Sequence, residues 1–229
     1  MLGVSTYHTK DFANSIIYLK RIQSTSNFSK QSLWILASIY EEQKKFDLAV
    51  DLLVDLKANI SFQDTLTMDV QDKLKHIYIL QRKFELLEKL WNDVDVTDST
   101  RRSSWALEIG QSVQENQDLP LAIKWYEKAV DFNLYELGAR ASLSIARCKS
   151  VLKDWKGSNA WLISQFVQAD GRYYHLPDSM IGLAYIQMAE NFVQLKNLPQ
   201  AKIILQSILA NSSDESMKVL AKKKIDEIQ

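Results

Sequence analysis

The 229 residues carry 28 Lys and Arg against 28 Asp and Glu, so the basic excess that marks most nucleic-acid binders is missing and no nucleic-acid partner is expected. Six Gly and three Pro argue for long helices joined by short loops and against a sheet-rich fold. No apolar run reaches the length of a membrane span, and Met1 to Lys10 lack the apolar stretch of a signal peptide.

In chain order, Leu2, Gly3 and Thr6 fit the tail of a helix, and a short pattern follows. It consists of a polar pair, an aromatic residue or Leu, two further residues, and usually a small residue that opens an apolar helix. It reads Lys10-Asp11-Phe12-Ala13-Asn14-Ser15, then Lys44-Lys45-Phe46-Asp47-Leu48-Ala49, then Arg82-Lys83-Phe84-Glu85-Leu86-Leu87. It returns as Gln117-Asp118-Leu119-Pro120-Leu121-Ala122, Lys153-Asp154-Trp155-Lys156-Gly157-Ser158 and Lys196-Asn197-Leu198-Pro199-Gln200-Ala201. The last positions of these six hits, 15, 49, 87, 122, 158 and 201, are 34, 38, 35, 36 and 43 residues apart. A period of this length is the signature of a helical-repeat protein.

Helical spacing explains why each hit sits in a hairpin. Leu33, Leu36, Ala37 and Tyr40 fall on one helix face, Gln43-Lys44-Lys45 turns the chain, and Phe46, Ala49, Val50 and Leu53 restart the stripe. Small residues at 49, 110 and 189 let paired helices approach. Tyr40, Phe46, Ala49, Gly110, Tyr126, Ala129, Ala189, Phe192 and Ala201 are therefore the expected core. One hairpin cannot bury its own apolar stripe and needs neighbours. Near the end of the chain, Ser212-Ser213-Asp214-Glu215 reads as a capping box. It opens a helix with Met217, Leu220, Ala221, Ile225 and Ile228 on its apolar side and Lys218, Lys222, Lys223 and Lys224 on a wet face. Two insertions, 59–67 and 169–177, interrupt the rhythm.

The segments resemble the tetratricopeptide repeat family. Ile109-Gly110 and Val113, followed by Ala122, Tyr126 and Ala129, match its pattern in the fourth repeat. Leu33, Leu36-Ala37, Tyr40, Phe46, Ala49 and Leu53 match it in the second, and Tyr185, Met188-Ala189, Phe192, Leu198, Ala201, Leu205 and Ile208 in the sixth. Leu87 and Ser158 depart from the small Ala, and the closing Pro is absent throughout. The resemblance implies an all-α, right-handed solenoid of about six helix-turn-helix repeats over a single domain 1–229. The repeats fall near 1–27, 30–63, 68–97, 99–134, 137–168 and 178–212, with a capping helix at 213–229. An array that opens in mid-hairpin reads as part of a longer protein or as an atypical capping repeat.

Little catalytic chemistry is legible. His8, His76 and His175 are scattered and distant in sequence from Cys148, which reads as a buried thiol. No nucleophile elbow, phosphate loop or dinucleotide fingerprint is present, so neither an enzyme nor a cofactor or metal is expected. In the family it resembles, first helices line a concave groove. Carried over by register, the groove positions are Trp34, Ser38 and Glu41, then Asp72, Lys73 and His76, then Glu108 and Gln111. Arg140, Ser144 and Arg147, and finally Gln187 and Glu190, complete them. Tyr173, Tyr174 and His175 in the second insertion are a further candidate contact. The Lys and Asn constellation with which some members of the family clamp a chaperone tail is replaced by Trp34, Ser38, Asp72 and His76. These features imply a protein-interaction scaffold for a peptide or folded partner in a larger assembly, without membrane insertion. The alternatives are an architectural spacer, self-association through the end hairpins, or a regulatory arm of a multidomain enzyme.

Overall fold

The computed structural model describes residues 2–22, 28–61, 64–132, 135–167 and 176–228. Among them are thirteen α-helices and no strand. The chain divides into two compact units, Met1–Asn92 and Asp93–Gln229. The first contains α1 (Leu2–His8), α2 (Phe12–Lys20), α3 (Ser29–Glu42), α4 (Phe46–Ala58), α5 (Leu66–Leu80) and α6 (Phe84–Asn92). The second contains α7 (Ser99–Glu115), α8 (Leu119–Asp131), α9 (Tyr135–Val151), α10 (Trp155–Leu162), α11 (Asp178–Gln194), α12 (Leu198–Asn211) and α13 (Glu215–Glu227). A single π-helical turn, Ile163–Val167, continues α10.

The polar pair of the repeat proves to be the hairpin turn itself. Lys10, Lys44, Arg82, Gln117, Lys153 and Lys196, one per hairpin, have φ between 55° and 64°. A left-handed residue just past a helix lets the next N–H reach back to a carbonyl five residues earlier, which closes the helix end. That bond forms in all six turns. Asp11 donates to Thr6 O at 2.9 Å, Lys45 to Tyr40 O at 2.8 Å and Lys83 to Tyr78 O at 2.9 Å. Asp118 donates to Val113 O at 3.3 Å, Asp154 to Lys149 O at 2.9 Å and Asn197 to Phe192 O at 2.8 Å. The same residue often starts the next helix. The side chains of Asp11, Asp118, Asp154 and Asn197 accept from the backbone N–H three positions on, the usual N-cap bond.

Within each unit the hairpins then pack on one another in sequence order, α2 on α3 and α4 on α5 in the first, α8 on α9, α10 on α11 and α12 on α13 in the second. In the second unit α7 also touches α9, α9 touches α11 and α11 touches α13, so alternate helices lie side by side. The position that opens each second helix is completely buried: Ser15, Ala49, Leu87, Ala122, Ser158 and Ala201. Where Ser replaces Ala, the hydroxyl finds a carbonyl across the hairpin. Ser15 Oγ donates to Gly3 O at 2.7 Å and Ser158 Oγ to Ala146 O at 2.9 Å, in each case twelve residues back. The burial of a hydroxyl is thereby offset.

Tyr40, Ala49, Tyr126, Ala129, Ala189 and Ala201 are buried as expected, and so is Gly110. Phe46 and Phe192 are only half-buried. Phe46 is the first residue of α4, where the helix emerges from the exposed turn. Phe192 packs on the edge of the second unit's core. The last helix also departs from expectation. Its N-cap is Asp214, whose carboxylate accepts from Ser216 and Met217 N–H, while Ser212 Oγ accepts from Asp214 N at 3.1 Å instead of capping. Lys224 leaves the wet face to meet Glu190 on α11 at 2.9 Å.

Candidate partner-binding surface

In the first unit, four predicted groove residues come together. Lys73 on α5 places Nζ 2.5 Å from Glu41 Oε2 on α3 and 4.9 Å from the centroid of the Trp34 ring. His76 Nε2 stands 3.9 Å from Glu41 Oε1. Trp34 is half-buried and packs on the cluster of Leu19, Ile35, Leu36 and Ile39. Ser38 is buried, its Oγ donating to Trp34 O at 3.0 Å. Asp72, the neighbour of Lys73 in sequence, approaches Lys75 at 4.0 Å across one turn of α5. This face satisfies its own charges: the acid has its cation, and the cation also covers the aromatic ring.

The second unit is arranged differently. Glu108 and Gln111 are exposed on α7, Arg140 and Arg147 are exposed on α9, and Ser144 between them is half-buried. Gln187 and Glu190 are half-buried on α11. Since α9 packs against both α7 and α11, these side chains occupy three neighbouring helices. Glu190 is neutralised by Lys224, which also approaches Glu227 at 3.5 Å. The hydrogen bond to Glu190 holds the Lys224 amine above its ordinary pKa. Arg140 and Arg147 make no ion pair with a described residue. Tyr173, Tyr174 and His175 lie outside the described residues.

Beneath this face is a layer of polar residues that periodicity does not reveal. Asn191 is 1% exposed, and its Nδ2 donates to Ser158 Oγ at 2.9 Å and Asn159 Oδ1 at 2.8 Å. Ser150 Oγ donates to Asn191 Oδ1 at 2.7 Å, and Gln187 Nε2 reaches the same oxygen at 3.3 Å. Three helices, α9, α10 and α11, are thus joined by one amide. The only sequence signal was an Asn interrupting an otherwise apolar stripe one turn after Gln187. Nearby, Tyr126 donates its hydroxyl to Gln114 Oε1 at 2.7 Å. Cys148 is fully buried, with Sγ 3.5 Å from the same oxygen. Burial pushes the Cys148 thiol up to about 11 and, with the nearby thiol adding to it, the Tyr126 phenol up to about 12. Neither group ionises near neutral pH.

Among the described residues no three His, Cys, Asp or Glu side chains are grouped to hold a metal ion. No helix among them is long and apolar enough to cross a membrane. Against known proteins, no family model matches the sequence, and no curated protein does. Solved structures do match the fold. The C-terminal part of a TPR repeat-containing protein from Cytophaga hutchinsonii aligns with TM-score 0.54 at 14% identity, over 91% of this chain and 77% of that one. The nearly identical TPR-like repeats of a putative kinesin light chain from Podosopora anserina align with TM-score 0.51 at 16% identity, over 81% and 96%. BtubC (BKLC) from P. vanneervenii aligns with TM-score 0.51 at 10% identity, over 97% and 93%. With the six equivalent turns, these likenesses define the class: the chain has an all-α helical-repeat fold of the tetratricopeptide type.

Proposed function

We propose that the chain is a non-catalytic scaffold that binds a peptide or a folded partner within a larger assembly. The observation that carries this reading is the side-by-side packing of α7, α9 and α11, whose outer positions carry Glu108, Gln111, Arg140, Arg147, Gln187 and Glu190. Polar side chains on packed helices, with Arg140 and Arg147 making no ion pair with a described residue, are suited to recognising another chain. The Trp34–Lys73–Glu41–His76 cluster gives the first unit a second candidate contact. Its aromatic ring is already covered, so it serves as a preformed surface and not as an open pocket. Affinity capture with chemical cross-linking tests the proposal. Cross-links from a specific partner should fall on α7, α9 and α11, and an Arg140→Ala/Arg147→Ala variant should lose that partner while melting like the parent. Partner cross-links confined to the second helices α8, α10 and α12 would overturn it.

Self-association through the first hairpin is the second reading, favoured by the exposure of Leu2 and Phe28 at 65% and 64% beside a groove that Gly3, Tyr18 and Ile22 also line. Sedimentation equilibrium with Leu2→Asp and Phe28→Asp separates the two.

A further inference from the structure

The second unit contains a strip whose charges and shape specify more than a generic partner. Arg140, Ser144, Arg147 and Val151 recur at helical spacing along one side of α9, and Val151 is 69% exposed. Past Arg147 the strip runs into a groove of about 530 Å³ lined by Val151, Trp155, Gln187, Asn191, Val193 and Ile228. Its floor is polar but already hydrogen-bonded, through Asn191 and Ser150, while Val151, Trp155, Val193 and Ile228 give it apolar walls. Lys153 lines the same groove.

The charges divide by helix. Arg140, Arg147 and Lys153 make no ion pair with a described residue. The groove's own acids, Glu190 and Glu227, share Lys224. The exposed acids Glu108 and Glu115 lie on α7. Beyond Glu136, the exposed acid in the first turn of α9, the positive charge therefore runs from Arg140 along the helix into the groove, and a negative edge lies to one side.

Resting on the scaffold reading above, we propose that this strip docks an extended acidic protein segment of the form acid-x-x-acid-x-x-apolar. Arg140 and Arg147 are seven residues apart, which is about 10 Å along a helix. In a polyproline-type extended segment, residues three apart share a face and lie about 9 Å apart. Two carboxylates so spaced match the two guanidinium groups, each of which offers a fork of donors to a carboxylate. The apolar side chain, one further turn of the segment along, reaches the walls formed by Val151 and Trp155. Glu115 on α7 repels an acidic segment shifted towards it.

The test uses the whole chain and short synthetic peptides labelled for fluorescence anisotropy. The first probe is Glu-x-x-Glu-x-x-Leu with neutral spacers. The others replace both Glu by Gln, both Glu by Lys, or Leu by Ser. The acidic Leu peptide should bind with an affinity that falls as salt rises, and the Gln and Ser peptides should each bind at least tenfold more weakly. Arg140→Ala/Arg147→Ala should show the same loss, and Arg140→Glu/Arg147→Glu should instead prefer the Lys peptide. Both variants should keep the parent's circular dichroism and melting temperature, because the side chains are exposed. Equal binding of the Glu and Gln peptides, or full affinity in the double Ala variant, overturns the proposal. If the acidic peptide fails to bind while cross-linking still places a partner on α7, α9 and α11, the acidic-segment proposal falls and the scaffold reading stands. If both experiments fail, both fall.

Discussion

Gly110 and the ring of Tyr126 are in direct contact across the α7–α8 hairpin: a Cβ built on Gly110 would lie 2.7 Å from both Cδ1 and Cε1 of the ring. The ring is anchored, since its hydroxyl donates to Gln114 one turn further along α7 and its side chain is 1% exposed. Any side chain at position 110 must therefore push the two helices apart. Gly110→Leu is expected to lower the unfolding free energy by about 1–3 kcal/mol through overpacking. Urea titration followed by circular dichroism measures it, and a variant as stable as the parent would show that the hairpin yields at no cost.

The hairpin turns offer the opposite change. A left-handed conformation costs a non-glycine residue about 1–2 kcal/mol, and six residues with a Cβ adopt it here. Glycine removes that strain but gives back part of the gain through its freer unfolded chain. Gln117→Gly, at φ 64°, is expected to stabilise the fold by about 0.5–1 kcal/mol. The readout is the urea midpoint at unchanged slope. Gln117→Val, which carries a β-branched side chain into the same region, should shift it the other way.

Asn191 joins three helices through one amide, so replacing it with Leu, which has a similar size, removes the donors and acceptors but not the volume. Buried Ser158 and Asn159 and half-buried Ser150 then lose a partner. A loss of about 2–3 kcal/mol is expected from the unsatisfied groups. Hydrogen exchange should localise the effect to α9, α10 and α11, with α7 and α8 less affected.

Cys148 should be chemically silent in the folded chain. It is fully buried, and its thiol is pushed up to about 11. Only the thiolate reacts with disulfide reagents. Ellman's reagent at pH 8 should leave Cys148 unmodified in the native state and titrate one thiol per chain in denaturant. Rapid native labelling would contradict the packing of α9 against α8.

The helices and their turns could be read directly from the sequence. The polar pair before Phe12, Phe46, Phe84, Leu119, Trp155 and Leu198 marks each hairpin because the left-handed turn, the helix-closing bond and the next N-cap are local events within about six residues. The buried position opening each second helix was legible for the same reason, even where Ser or Leu stands in it. Other features needed the third dimension. Glu41 is satisfied by Lys73, 32 residues on, Glu190 by Lys224 on a helix read as wet on that side, and Asn191 by residues 32 to 41 positions earlier. Each of these pairings depends on the register between successive hairpins. Packing fixes that register and helical periodicity does not encode it, because a stripe of apolar residues specifies which face is buried but not which charge of the next hairpin it will meet. The sequence by itself determined a repeating helical fold with polar first-helix faces. Tertiary structure decided which of those polar residues are already paired, as in the Trp34 cluster, and which, like Arg140 and Arg147, make no ion pair with a described residue.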